Sequence, residues 1–289
     1  MGTGLGQLAE DAALALFFAS SLFFTTIVPL RLYPFGAVGQ ILFVAGLAAN
    51  MVALGYIAVR MPRVFSAAVA VLYSLFFVLS VLSKYFPSAI LHFLLLTFPI
   101  AWLAYVNRMR AEEIWNALRA HGRNWLPLAA LGGAATVFLL YPTVIIEGLI
   151  LRAIGVQDVG KVSDVILNAP LWLAVFSFMF APLSEEVFFR GFLFGRLRKF
   201  GGRFGSKKAA LIGAAIVSSA VFASAHYSYG SVTEIVGAFT IGLIFVGIFV
   251  LTDSLVAVIA AHAVFNLISV CVIYLANYIG EEIPVGLLH

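Results

Sequence analysis

The chain is poor in charge. Only 10% of its 289 residues are Asp, Glu, Lys or Arg, whereas 63% are apolar; an ordinary soluble domain carries about 25% charged residues. A water-soluble globule of this size has no interior large enough for so much apolar side chain. A soluble enzyme, a soluble nucleic-acid binder and a disordered chain are therefore excluded. Cysteine is nearly missing as well. Cys271 stands alone, so no internal disulfide scaffold exists, and it reads as a small buried hydrophobe. Basic residues are missing before the first apolar run, which is preceded by Glu10 and Asp11 instead. That flank is wrong for a cleavable signal peptide, so residues 12–30 read as a retained helix.

What the chain does have is long apolar runs. A bilayer core about 30 Å thick needs roughly 20 apolar residues per helix. On that measure the sequence predicts an all-α polytopic transmembrane helix bundle of eight or nine spans, near 12–30, 36–59, 64–82, 86–106, 127–150, 169–197, 209–228, 232–251 and 254–276. Pro182 and the Glu185–Glu186 pair interrupt the sixth, which is either one tilted helix or a span followed by an interfacial helix. The net charge of +4 comes from few residues, and those sit in loops. In the nine-span arrangement with the N-terminus in the cytoplasm, Arg60, Arg63, Arg108, Arg110, Arg119, Arg123, Arg196, Arg198, Lys199, Arg203, Lys207 and Lys208 all fall inside. Only Arg31, Lys84, Arg152 and Lys161 fall outside, which is the asymmetry that orients membrane proteins.

Two polar loops stand out. Residues 107–125 can form an interfacial amphipathic helix with Ile114, Trp115 and Leu118 on one side. Residues 198–208, RKFGGRFGSKK, are basic and glycine-rich, but they follow no strand and lack the GxxxxGK[ST] spacing of a phosphate loop. They read as a lipid-contacting cytoplasmic loop. Composition divides the chain in two: residues 1–152 form N-terminal transmembrane helices without a catalytic motif, and residues 153–289 form a second part whose motifs lie within 165–275.

That second part holds ionisable groups at membrane depth, each costing on the order of 2.5–3.5 kcal/mol to insert. They are Glu185, Glu186 and Arg190 in SEEVFFRG, His226 in FASAH, and His262 with Asn266 in HAVFN. Glu186 and Arg190 are four apart and share a helix face, so they can neutralise each other. Glu185 is turned about 100° away and is left for another partner. His262 and Asn266, also four apart, point into one volume. Taken singly, each group has a bland explanation: an interhelical bolt, a packing histidine, polar glue. Two acids, an arginine, two histidines and an asparagine on three successive spans are too many for glue. Their chemistry fits peptide hydrolysis. Glu185 with His226 can hold and deprotonate a water, His262 and Asn266 can donate to the oxyanion of a tetrahedral intermediate, and Arg190 can fix Glu186. Ser184 and Ser218 have no activating neighbours in sequence, which argues against covalent catalysis.

The three patterns EExxxR (Glu185 to Arg190), FxxxH (Phe222 to His226) and HxxxN (His262 to Asn266), in this order, resemble the CAAX-protease and bacteriocin-processing family, which includes the type II CAAX prenyl endopeptidases. The resemblance covers roughly residues 165–275. It implies an intramembrane endopeptidase of glutamate type, in which Glu185 and His226 handle water while His262 and Asn266 form the oxyanion hole. It also implies a metal-free mechanism without cofactor, although Glu185, His226 and His262 could in principle make a three-ligand zinc site, and HExxH is absent. The expected partners are the lipid bilayer and a membrane-embedded or lipidated peptide or protein substrate, with no nucleic acid.

Other classes stay open: a non-catalytic membrane scaffold or immunity factor with the same fold, and a small proton-relaying transporter, although only one interrupted span is present and no matching second. The remaining polar residues read as bland. Glu147 and Arg152 suit an interfacial pair near a span end. His92 and His121 sit near or in loops with no acidic or second histidine partner at ligand spacing. Glu234 and Asp253 mark the boundaries of the eighth span. Richness in Ala, Gly, Leu and Arg with few Lys suggests a GC-rich bacterial genome, hence a bacterial plasma membrane.

Overall fold

The computed structural model describes residues 52, 86–120, 124–156, 158, 160–226 and 229–280. The first three expected spans, Val52 apart, and His121 lie outside the described residues. Among the described residues every regular element is helical. Helix α1 (Phe86–Ala101) continues into a wide π-helical turn, Trp102–Val106. Then follow α2 (Ala111–Ala117), α3 (Trp125–Ala153), α4 (Gly160–Leu167), α5 (Leu171–Gly201), α6 (Lys207–Ala225), α7 (Val232–Thr252) and α8 (Leu255–Ile279). The five helices α3, α5, α6, α7 and α8 are long and apolar enough to cross a membrane. Their bounds fall within a few residues of the expected fifth to ninth spans.

The loops gather at two opposite ends. At one end Asp158 accepts hydrogen bonds from the first residues of α7, and Lys161 donates to the Gly230 carbonyl at 2.8 Å. At the other, Arg119 pairs with Asp253, the Leu255 N–H donates to the Arg119 carbonyl, and Arg196 reaches Asn107. Successive long helices thus alternate in direction. The Asp158 carboxylate works as a cap in trans: it accepts from the Val232 N–H (2.5 Å), the Thr233 hydroxyl (2.6 Å), the Thr233 N–H (3.3 Å) and the Ser231 hydroxyl (3.2 Å). The two N–H groups are ones that a helix start leaves without intrahelical acceptors. Burial raises the Asp158 carboxyl, but the bonds from Thr233, Val232 and Ser231 outweigh it and hold it below the usual carboxylate range.

Close helix contact depends on small residues and hydrogen bonds, since lipid offers no hydrophobic drive for association. A Cβ at Gly132 of α3 would lie 2.1 Å from the Ala257 carbonyl oxygen of α8, so only glycine lets the two backbones meet there. Alongside it the Thr136 hydroxyl donates to the Ala261 carbonyl at 2.8 Å, and the Tyr141 hydroxyl donates to the Phe265 carbonyl at 2.8 Å. Large apolar side chains such as Phe138 and Leu251 are left exposed on the outer surface, where they suit lipid.

Several expectations need correction. Helix α2 is shorter than the 107–125 segment, and Trp115 is exposed while Ile114 and Leu118 are buried. At about 100° per residue, Trp115 lies at the edge of their face, about 100° from Ile114 and 60° from Leu118. Glu147 makes no ion pair with Arg152 among the described residues; five positions apart, the two differ by about 140° around α3, and Glu147 Oε1 is buried without a hydrogen bond. Cys271 is exposed on α8 rather than buried. Glu234 and Asp253 do bracket α7, the first in its opening turn and the second as its left-handed C-cap at φ 51°.

Candidate active site

The sixth expected span is a single 31-residue segment with a break inside it. Phe180, at φ −104° and ψ −38°, closes one helical stretch and opens the next. Pro182 supplies the reason: it has no N–H for the carbonyl four residues back, so the ladder is interrupted there. The carboxylates follow immediately. Past them, residues Val187–Phe194 widen into a π-helical stretch that contains Arg190, a local geometry often found at functional sites.

Glu186 and Arg190 form the expected pair. Arg190 Nη1 donates to Glu186 Oε1 at 2.8 Å, with the two side chains 1% and 0% exposed. The guanidinium also stacks over the Phe222 and Phe245 rings, 4.4 and 5.0 Å from their centroids, and reaches the Gly242 carbonyl at 3.3 Å. Helices α6 and α7 touch at Gly242, where an added Cβ would come within 2.9 Å of Ser219 Cβ. Glu186 Oε1 accepts a second bond, from His262 Nδ1 at 2.7 Å. A single buried carboxylate oxygen therefore ties α5 to α8 and orients the His262 ring.

With Nδ1 engaged, His262 turns Nε2 towards Glu185, whose Oε2 lies 3.8 Å away. The other carboxylate oxygen, Oε1, is held at 2.8 Å by His92 Nε2, on α1. His92 is thus neither in a loop nor without an acidic partner; it is buried inside a helix, and its ring meets Phe176 edge-on at 5.3 Å. Its partner stands 93 positions further along the chain, so no local spacing could mark it.

His226 ends α6. Its Nδ1 bonds the Phe222 carbonyl at 3.0 Å; a carbonyl only accepts, so Nδ1 is the donor, and in the neutral ring Nε2 is an acceptor. The Phe222 ring bridges the two histidines, 4.8 Å from His226 and 6.0 Å from His262. Asn266, one turn beyond His262, donates one amide N–H to the Ser177 carbonyl at 2.8 Å. Its amide has a second N–H. The hydroxyls of Ser184 and Ser218 donate to carbonyls of their own helices, Ala181 and Ala215. Among the described residues no group of three His, Cys, Asp or Glu side chains is arranged to hold a metal ion.

Fold and site together define a helical membrane protein with paired carboxylates and imidazoles buried between its spans. A family model described as "Type II CAAX prenyl endopeptidase Rce1-like" matches residues 167–268. The matched segment, about a third of the chain, contains Glu185, Glu186, Arg190, His226, His262 and Asn266, and the family is one of membrane proteases. The likeness seen in the three motifs is therefore borne out over that segment; His92 lies outside it. No curated protein matches the chain, and no solved structure does.

Proposed function

We propose that the protein is an intramembrane endopeptidase of glutamate type. The observation that carries this reading is the Glu185 carboxylate, inside a span-length helix and flanked by His92 at 2.8 Å and His262 at 3.8 Å. In this reading Glu185 and the acceptor nitrogen of His226 hold a water, and Glu185 takes its proton as the oxygen attacks the scissile carbonyl. The proton then passes to the leaving amine. His262 and the second amide N–H of Asn266 donate to the oxyanion. For His262 to donate from Nε2 while Nδ1–H serves Glu186, it must be doubly protonated. The charge count allows that: Glu185 and Glu186 are then balanced by Arg190 and His262. Glu186 and Arg190 position the site and do not touch substrate.

The substrate class that fits is the end of a membrane-associated or lipidated protein or peptide, in a bacterial plasma membrane. With nine spans and a cytoplasmic N-terminus the α5–α6 loop lies inside and the Asp158 end outside; with eight spans both would be reversed. A cysteine replacing exposed Asp164 in a Cys271→Ser background reads this orientation: labelling by an impermeant thiol reagent in intact cells supports it, and labelling only after permeabilisation reverses it. The activity itself is tested by mass spectrometry of membrane peptides from cells expressing the wild type or Glu185→Ala. Termini produced only by the wild type support the reading, and identical termini from both overturn it.

A further inference from the structure

We propose that His92 is a positioning residue of the site, fixing the Glu185 carboxylate through its Oε1; the inference rests on the glutamate-type reading above. Glu185 is 13% exposed and His92 11% at the side chain, so both groups are largely withdrawn from bulk water. A buried carboxylate oxygen without a donor is costly and free to rotate. His92 Nε2, 2.8 Å away, supplies that donor. With Oε1 engaged, Oε2 is the oxygen left facing His262 and, in the proposed mechanism, the water. The imidazole is itself immobilised by the edge-on contact with Phe176, and α1 is seated against α5 by Phe93 on Phe180 (5.1 Å) and Phe98 on Phe192 (5.9 Å). The same two helices therefore bracket both the break at Phe180 and the carboxylate just after it. The catalytic unit then extends beyond residues 167–268 to include α1, and the segment before residue 153 is more than an anchor.

The test compares His92→Phe, which keeps the ring volume and removes the donor, with His92→Gln, whose amide N–H reaches about as far as Nε2. Both are purified in detergent and assayed on a peptide that the wild type cleaves and Glu185→Ala does not. His92→Phe is expected to lower kcat by about tenfold to a hundredfold, the scale of a misplaced catalytic group, with little change in KM and an unchanged melting profile. His92→Gln is expected to restore most of kcat. Wild-type kcat in His92→Phe, or a loss that His92→Gln does not rescue, overturns the proposal. If Glu185→Ala itself cleaves every wild-type substrate, the proposed function fails; if Glu185→Ala is inactive and His92→Phe is not impaired, only the role of His92 fails.

Discussion

Replacing Arg190 by methionine would leave the Glu186 carboxylate, 0% exposed, without its guanidinium partner. Breaking a buried ion pair from one side costs about 3–5 kcal/mol, because the remaining charge is stranded in a low-dielectric interior. The lower end of that range applies here, since His262 still donates to Glu186 Oε1 at 2.7 Å. The contacts of the guanidinium with Phe222, Phe245 and the Gly242 carbonyl are lost as well, although methionine refills part of that volume. At roughly 2–4 °C per kcal/mol for chains approaching this size, the apparent melting temperature in detergent should fall on the order of 10 °C. Adding Glu186→Gln to Arg190→Met removes the stranded charge and leaves an acceptor for His262, so the double variant should melt above Arg190→Met alone. A single variant that melts like the wild type, or a double variant that is worse than the single, would refute the buried-pair reasoning.

Asn266→Ala should lower kcat by about a hundredfold or more with KM little changed, because in the proposed mechanism its donor acts on charge that develops in the transition state; a full rate with a raised KM would mark it as a binding residue. Gly242→Ala forces a Cβ to within 2.9 Å of Ser219 Cβ and should cost about 1–3 kcal/mol as an overpacking change, with Ser219→Gly restoring part of the loss in a thermal melt. Asp158 has a depressed pKa, so its contribution is present above the usual carboxylate range and is lost as pH falls through the lower folded value. Stability measured from neutral pH downwards should therefore decline less steeply in Asp158→Asn than in the wild type, and parallel curves would contradict the cap.

The apolar runs made the long helices legible, because a helix must satisfy its own backbone in lipid and so declares itself by length alone. The i, i+4 spacing of Glu186 and Arg190 likewise made their pair readable, since helical neighbours need no tertiary knowledge. Partnerships formed across the bundle were hidden. His92 lies in an otherwise apolar stretch, and nothing around it signals a carboxylate 93 positions away. The acceptor for Asn266 is the Ser177 backbone carbonyl, a group every residue has and no motif can flag. Gly242 is one glycine among 25, and its importance comes from Ser219 on the facing helix. The Glu147–Arg152 pair failed for a simpler reason: proximity along the chain was taken for proximity around a helix.

The account turns on Glu185 as the group that activates water. Wild type and Glu185→Gln, purified and reconstituted in liposomes with a peptide that the wild type cleaves, differ at that position only by an amide in place of a carboxylate. The glutamine keeps the volume and can still accept from His92, but it cannot take a proton from water. Cleavage should fall by at least about a hundredfold, the usual worth of a general base, while the melting profile stays close to wild type. Cleavage by Glu185→Gln at the wild-type rate would contradict the central claim.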